Sequence, residues 1–305
     1  MNDLLHHHPS PLQDVTEALA LETSGTRLLI KRDDLLGVEI SGNKARKLKY
    51  NIAEIVHRRS PVVVAFGGAY SNLLLAVAAA GRQYGFNTVG IVRGEPHIPL
   101  NPVLQTATGR GMQLEYMDRA TFRHTNEPEV LRTIYERWGQ DAYVIPDGAS
   151  NCLGIKGAAE IIAEIDQSFD IVCCSCGTGG TLAGIVSSLP PGTRALGFSA
   201  LKGGDFLRDD VTRLLEGCHL TAAGPWDIVT EFHFGGFAKR PPELLTFVQG
   251  FAERTGLALD EIYEGKMMYG LLALIERDYF TPGSTIVAIQ AGGGSTGPAQ
   301  LSGSA

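Results

Sequence analysis

The sequence is short of charge, of cysteine and of long apolar runs, and each shortage excludes something. Charged residues make up only 19% of the chain, and 33 Asp and Glu outweigh 26 Lys and Arg, for a net charge of −7 at pH 7. A nucleic-acid partner is not expected, because holding a phosphate backbone takes clustered Lys and Arg. Five cysteines, an odd number in a long chain, do not suggest a disulfide framework. Cys152 and Cys218 read as core or surface thiols. Cys173, Cys174 and Cys176 crowd one strand and its loop, where alternate side chains point to opposite faces, so a tetrahedral metal site is not expected. No apolar run approaches the ~18 residues of a membrane span. The polar N-terminus lacks the apolar core of a secretion signal, so the expected compartment is the cytoplasm. His6, His7 and His8 read as part of that polar run rather than as metal ligands.

What the chain has is apolar material and glycine. Hydrophobic residues reach 44%, enough for one large core or two smaller ones. The 37 glycines are about 12% of the chain, against roughly 7% in average proteins. They have no G-X-Y period, so the excess belongs to loops that need unusual backbone or close approach to a ligand.

Strand-like and helix-like segments alternate along nearly the whole length. Residues 62–66 form a continuous apolar run, as in a strand buried on both faces. Residues 43–59 carry Leu48, Ile52, Ile55 and Val56 at helical spacing. Strands are also predicted at 27–31, 88–92, 113–116, 143–145, 171–174, 195–198 and 285–290. Helices are predicted at 71–84, 102–110, 127–138, 152–165, 181–189, 242–254 and 265–277. Such alternation implies βαβ units and parallel sheets with helices on both faces. Some 300 residues exceed the usual single core, so two domains are expected, and no Pro/Ser-rich linker separates them.

Three glycine clusters each follow an apolar strand: residues 66–72 (FGGAYSN), 176–181 (CGTGGT) and 291–294 (AGGG). In an open α/β sheet such loops line the ligand crevice. The second runs from strand through flexible loop into a helix, an arrangement suited to an anion. It is neither a GxxxxGK[ST] loop, since no Lys follows, nor a spaced GxGxxG fingerprint. A phosphorylated cofactor other than a nucleotide fits it; a tight turn without a ligand is the alternative. Lys44 falls in the first turn of its helix, where the dipole disfavours a cation and lowers an amine's pKa, which suits a Schiff-base lysine. A solvated surface lysine is the plain alternative.

Taken in order, IKRDDLLG (30–37), SGNKARKLKY (41–50), FGGAYSN (66–72), IPDGASNCLGIKGAAEI (145–161), CGTGGTLAGI (176–185) and LDEIYEGKMMYGLLALI (259–275) resemble pyridoxal-phosphate enzymes of fold type II. Within these the chain is similar to the 1-aminocyclopropane-1-carboxylate (ACC) deaminase/D-cysteine desulfhydrase family. The resemblance implies a tryptophan-synthase-β-like α/β fold: two open, twisted, mainly parallel sheets with helices on both faces. It implies a large cofactor-binding domain of residues 1–46 and 156–305, with a small domain of 47–155 inserted. Pyridoxal 5′-phosphate would be the cofactor, joined to Lys44. Asn43 would bond its phenolic oxygen, while Cys176, Gly177, Thr178, Gly179, Gly180 and Thr181 would hold its phosphate. Tyr263 would pack on the pyridine ring and Glu264 would face the ring nitrogen. Ser71 and Asn72, with Gly68, would receive the substrate carboxylate. Lys44, Ser71 and Tyr263 would be the catalytic groups.

The implied reaction turns a small amino acid, D-cysteine or ACC, into a 2-oxo acid and ammonia in a homodimeric enzyme. Glu264 is the deaminase-like choice; desulfhydrases tend to have Thr or Ser there. Gln290 and Gly294 depart from the family's usual imidazole and bulkier residue, and Phe237 stands where relatives often have Tyr. A β-replacement synthase of the cysteine-synthase kind, or a cofactor-binding protein with a compromised pocket, are the alternatives. Lys31, Arg32, Asp33 and Asp34 form either a charge network behind Lys44 or a solvated turn.

Overall fold

Runs of Val, Ile and Leu become the buried strands of two sheets. The computed structural model describes residues 8–21, 25–37 and 39–292. Three earlier expectations, on His6, His7 and Gly294, lie outside them. One sheet has six strands in the order β1 (Leu12–Asp14), β2 (Arg27–Arg32), β10 (Thr285–Gln290), β7 (Ile171–Cys176), β8 (Arg194–Ser199) and β9 (Trp226–Val229). Only β1 is antiparallel to its neighbour. The other sheet is wholly parallel: β5 (Gln113–Met117), β4 (Asn87–Arg93), β3 (Val62–Gly67), β6 (Tyr143–Ile145). Its strands come from the middle of the chain, and those of the larger sheet from both flanks.

The nine helices among the described residues cover these sheets: α1 (Gly42–Arg58), α2 (Asn72–Tyr84), α3 (Pro102–Gly109), α4 (Pro128–Trp138), α5 (Cys152–Ala163), α6 (Gly180–Val186), α7 (Leu207–Gly217), α8 (Pro242–Thr255) and α9 (Glu264–Glu276). One of them, α7, is absent from the predicted order. In α7 the charged residues Arg208, Asp209, Asp210, Arg213 and Glu216 leave only Leu207, Val211 and Leu215 buried, which weakens its sequence signal. Strands β1 and β9, of three and four residues, sit on the edges and are too short for a period to register. These three elements are additions to the predicted order.

Helix α1 is the pivot between the sheets. Leu48, Ile52 and Ile55 recur at helical spacing and are buried with Val63, Ala65, Leu73 and Val77. Its other side crosses α5 so closely that a Cβ on Gly157 would lie 2.0 Å from the Arg46 carbonyl oxygen. Its start is clasped by the end of β10: the Asn43 amide donates to the Ala291 carbonyl at 2.7 Å. Gly42 must be glycine there, since its φ is +62° and a Cβ would fall 1.6 Å from the same oxygen.

Behind this start lies a buried charge network. Arg46 donates to both Asp33 oxygens, at 2.6 and 2.7 Å, and to both Glu164 oxygens, each at 2.7 Å. Lys31, fully buried, donates to Glu164 at 2.8 Å and to Ser10. Arg32 instead pairs with Asp34 nearer the surface. The network reading of Lys31, Arg32, Asp33 and Asp34 is the one realised. Burial alone would raise the Glu164 carboxyl, but the Arg46 and Lys31 bonds and charges outweigh it and lower the group to about 2.

The cysteines differ from expectation. Cys152, the first residue of α5, and Cys218, just past α7, form a disulfide with Cα atoms 5.3 Å apart. Their separation of 66 residues hides the pairing from the sequence; only the packing of α5, α6 and α7 brings them together. Cys173 lies in one core cluster and Cys174 and Cys176 in the other, on opposite faces of β7.

Two outcomes follow for stability. Arg46→Ala leaves Asp33 and Glu164 without their shared cation, and denaturant titration should show a loss of about 3–5 kcal/mol; a loss below about 1 kcal/mol contradicts the clamp. Because the folded Glu164 is depressed from 4.5 to about 2, its contribution is present above the unfolded value and fades as pH falls from roughly 4.5 toward 2. Glu164→Gln should flatten that acid limb.

Candidate active site

The carboxyl ends of β3, β4, β6, β7 and β10 open into one cavity of about 590 Å³, within the range of small-molecule sites. Asn43, Lys44, Gly68, Ser71, Asn72, Gly177, Thr178, Gly179, Gly180, Thr181, Tyr263 and Glu264 all line it. Of the residues expected to bind cofactor or substrate, Cys176 is the exception. It ends β7 with its side chain in the core, where a Cβ on Gly197 would be 2.6 Å from its sulfur.

Lys44 stands in the first turn of α1 and donates to Asn43 Oδ1 at 2.9 Å. Asn43 in turn donates to Thr181 Oγ1 at 3.3 Å, so the lysine and the glycine loop are physically joined. The Lys44 ammonium is pushed down from 10.5 to about 8, chiefly by burial, with Asp147 and Glu264 opposing. One turn further, Lys47 is buried and donates to the Gly148 carbonyl at 2.8 Å. Burial and the charge of Lys44 bring it down to about 7. Two amines thus share one wall, and both are partly neutral near neutrality.

The loop after β7 is shaped around this pair. Gly179 has φ +75°, and a Cβ there would press on Val211 of α7 at 2.7 Å. A Cβ on Gly180 would lie 2.4 Å from Ser150 Oγ and 2.7 Å from Lys47 Nζ. Ser150 and Thr178 hydroxyls are 2.7 Å apart.

Tyr263 and Glu264 are set by a local cap. Asp260 accepts from the amides of Ile262 and Tyr263 at 2.8 Å each and of Glu264 at 3.0 Å, while Glu264 Oε2 accepts from the Asp260 amide at 3.3 Å. The Glu264 carboxyl is buried and raised well above 4.5 by that burial, then by Asp260. The Tyr263 ring lies over the loop, since a Cβ on Gly177 would be 3.1 Å from its hydroxyl. Phe237 meets the other side of this ring edge-on, with centroids 5.8 Å apart. Gln290 turns away from the cavity and donates to the Ala258 carbonyl at 2.7 Å. Ser71 caps α2, and its hydroxyl has no hydrogen-bond partner among the described residues.

Residues 4–292 match the family of pyridoxal-phosphate dependent enzymes. The chain belongs to that family. It is 35% identical over 301 residues to the mitochondrial bifunctional D-cysteine desulfhydrase/1-aminocyclopropane-1-carboxylate deaminase of Arabidopsis thaliana, covering 90% of this chain and 73% of that protein. It is 27% identical to the D-cysteine desulfhydrase of Yersinia pestis, covering 88% of this chain and 87% of that protein. A crystal structure of an ACC deaminase homologue superposes with a TM-score of 0.81 at 26% identity, covering 95% of this chain and 90% of that one. The fold is that of the type II enzymes, tryptophan-synthase-β-like.

The cavity of this pyridoxal-phosphate dependent enzyme fits its cofactor. The loop 177–181 is a cradle that side chains at Gly177, Gly179 or Gly180 would fill, and the cationic Lys47 stands beside it to balance a phosphate. A buried carboxylic acid, Glu264, is available to a pyridine nitrogen, and Lys44 is a partly neutral amine. Lys47, Asp147 and Ser150 are functional candidates that sequence reasoning missed. For Lys47 a signal existed: three residues past Lys44, it shares its helical face.

Lys47→Gln should weaken pyridoxal-phosphate affinity about tenfold or more, the worth of one charged hydrogen bond, and leave affinity for unphosphorylated pyridoxal nearly unchanged. Equal weakening of both ligands contradicts a phosphate role. The rate of cofactor capture by the apoprotein should rise with pH through a midpoint near 8 and then level off, as Lys44 becomes neutral; a flat profile contradicts a nucleophilic role for that amine.

Proposed function

We propose that this enzyme converts a small amino acid, of the D-cysteine or ACC type, into a 2-oxo acid and ammonia. The observation that carries the reading is Lys44, its ammonium lowered to about 8, held by Asn43 in the same cavity as the loop 177–181, Ser71 and Glu264. The names of the Arabidopsis and Yersinia relatives support the substrate class. D-cysteine plus water would give pyruvate, ammonia and hydrogen sulfide. ACC plus water would give 2-oxobutanoate and ammonia.

Pyridoxal phosphate, when bound, draws electrons from the bonds at the substrate Cα. The chain's own groups do the rest. Amides of the loop 177–181, with Lys47, would hold the phosphate, and Tyr263 would pack on the ring. Glu264 supplies a proton at the ring nitrogen. The loop carrying Gly68, Ser71 and Asn72 receives the substrate carboxylate. Lys44, oriented by Asn43 Oδ1 and near 8 in its titration, takes the proton from Cα in the D-cysteine reaction. The free Ser71 hydroxyl gives or accepts a proton at Cβ. Glu264 favours this chemistry over β-replacement, since a proton kept at the ring nitrogen favours carbanion chemistry at Cα. We also propose a cytoplasmic homodimer with domains 1–46 plus 156–305 and 47–155. In the cytoplasm the Cys152–Cys218 bond would face reductants.

The test is 2-oxo-acid release from D-cysteine, D-serine, L-cysteine and ACC. Release should be clear on D-cysteine or ACC, and Lys44→Ala should lower it by about 10²–10⁴-fold or more, the usual worth of a positioned base. A wild-type protein that binds the cofactor and releases no 2-oxo acid from any of the four contradicts the proposal.

A further inference from the structure

The cavity has a third charged region that the reaction above does not use. Arg93 is the last residue of β4, and Arg119 lies two residues past the end of the adjacent β5. The Gly94 amide donates to the Met117 carbonyl at 2.8 Å, which ties the two strand ends together. A Cβ on Gly94 would lie 3.7 Å from Arg119 Nε, and one on Gly68 would lie 3.8 Å from Arg93 Nη2. Both guanidiniums therefore converge on the substrate side of the cavity and line it.

Neither arginine is spent on the protein. Among the described residues, neither makes an ion pair or hydrogen bond; Arg93 only rests over the Phe122 ring, 5.7 Å from its centroid. The charged or titratable groups around them on the cavity wall are Tyr70, Glu95, His97, Asp147 and Tyr263. Burial raises the Asp147 carboxyl, which weakens it as a counter-ion, although Arg93 opposes the shift. Glu95 alone leaves the pair with an excess of positive charge. An ordinary amino acid brings one carboxylate, and the loop 68–72 already has amides and hydroxyls for it. The cofactor's phosphate has Lys47 and the loop 177–181. Neither guanidinium is hydrogen-bonded to an anion among the described residues, and a guanidinium is built for bidentate oxyanion recognition.

We propose that Arg93 and Arg119 form a subsite for an anionic group on the substrate side chain. The preferred substrate is then an α-amino acid with a second acidic group beyond Cβ. This rests on the amino-acid-cleaving reading above and narrows its substrate class.

The test compares S-carboxymethylcysteine with S-carbamoylmethylcysteine, nearly the same shape but different by one charge, in D and L forms. Binding to the holoenzyme is measured by calorimetry, and 2-oxo-acid release in parallel. In one enantiomeric series, wild type should bind the carboxymethyl compound about tenfold or more tighter, as expected of a charged hydrogen-bonded pair. The ratio should fall toward one in R93Q/R119Q and persist in R93K/R119K. Because the readout is a ratio, any general loss in the variant cancels. A wild-type ratio near one overturns the subsite. So does a ratio that survives in R93Q/R119Q while both ligands weaken together, which would assign the arginines to the common α-carboxylate. A charge preference without 2-oxo-acid release from any compound, D-cysteine and ACC included, keeps the subsite and removes the reaction. Release from D-cysteine or ACC without a charge preference does the reverse.

Discussion

The Arg46 guanidinium, held between Asp33 and Glu164, sets the helix that carries Lys44 and Lys47. All four of its carboxylate bonds lie at 2.6–2.7 Å, with Arg46 and Asp33 buried and Glu164 partly so. Two residues before it is Lys44 and one after it is Lys47, so rotation of α1 about its axis would displace both amines at once. A buried ion network is an expensive way to stabilise a fold, and apolar packing often does as well. What it gives is a single register: the planar fork accepts one arrangement of two carboxylates, and α1 has one rotation that satisfies it. The Ala291 carbonyl and the close crossing at Gly157 hold the same helix from two other sides.

With the helix fixed, the site's electrostatics follow from burial. Lys44 and Lys47 lose solvent, and Lys47 also faces the charge of Lys44, so each amine gives up its proton more readily than a free lysine. Glu264 loses solvent beside Asp260 and holds its proton more tightly. The apoprotein carries amines that are too acidic and a carboxyl that is too basic. A dianionic phosphate and a basic ring nitrogen correct both. Groups whose protonation is displaced in this way are expected where a cofactor site is pre-organised.

Most of the fold was legible in the sequence because the parallel strands are continuous apolar runs and their loops are rich in glycine. The elements that were missed lack those marks: β1 and β9 are short edges, and α7 is charged over most of its surface. The site was legible where chemistry sits in consecutive residues: Asn43 with Lys44, Tyr263 with Glu264, and residues 177–181. It was illegible where chemistry depends on chain crossings. Lys47 reaches Gly148 across 101 residues, Ser150 reaches Thr178 across 28, and Cys152 reaches Cys218 across 66. Arg93 and Arg119 look like ordinary strand-end arginines until β4 and β5 pair. Cys176 shows the opposite error: a residue can belong to a motif while its side chain, by strand alternation, points into the core.

The central claim is that the amine joined to pyridoxal phosphate is Lys44 and not its neighbour Lys47, which titrates just as readily. Borohydride reduction of the cofactor-loaded protein, followed by peptide mapping, decides between them. The account predicts one pyridoxyl label, on Lys44, retained in Lys47→Gln. A label on Lys47, on another residue, or none in a protein that binds the cofactor would contradict it.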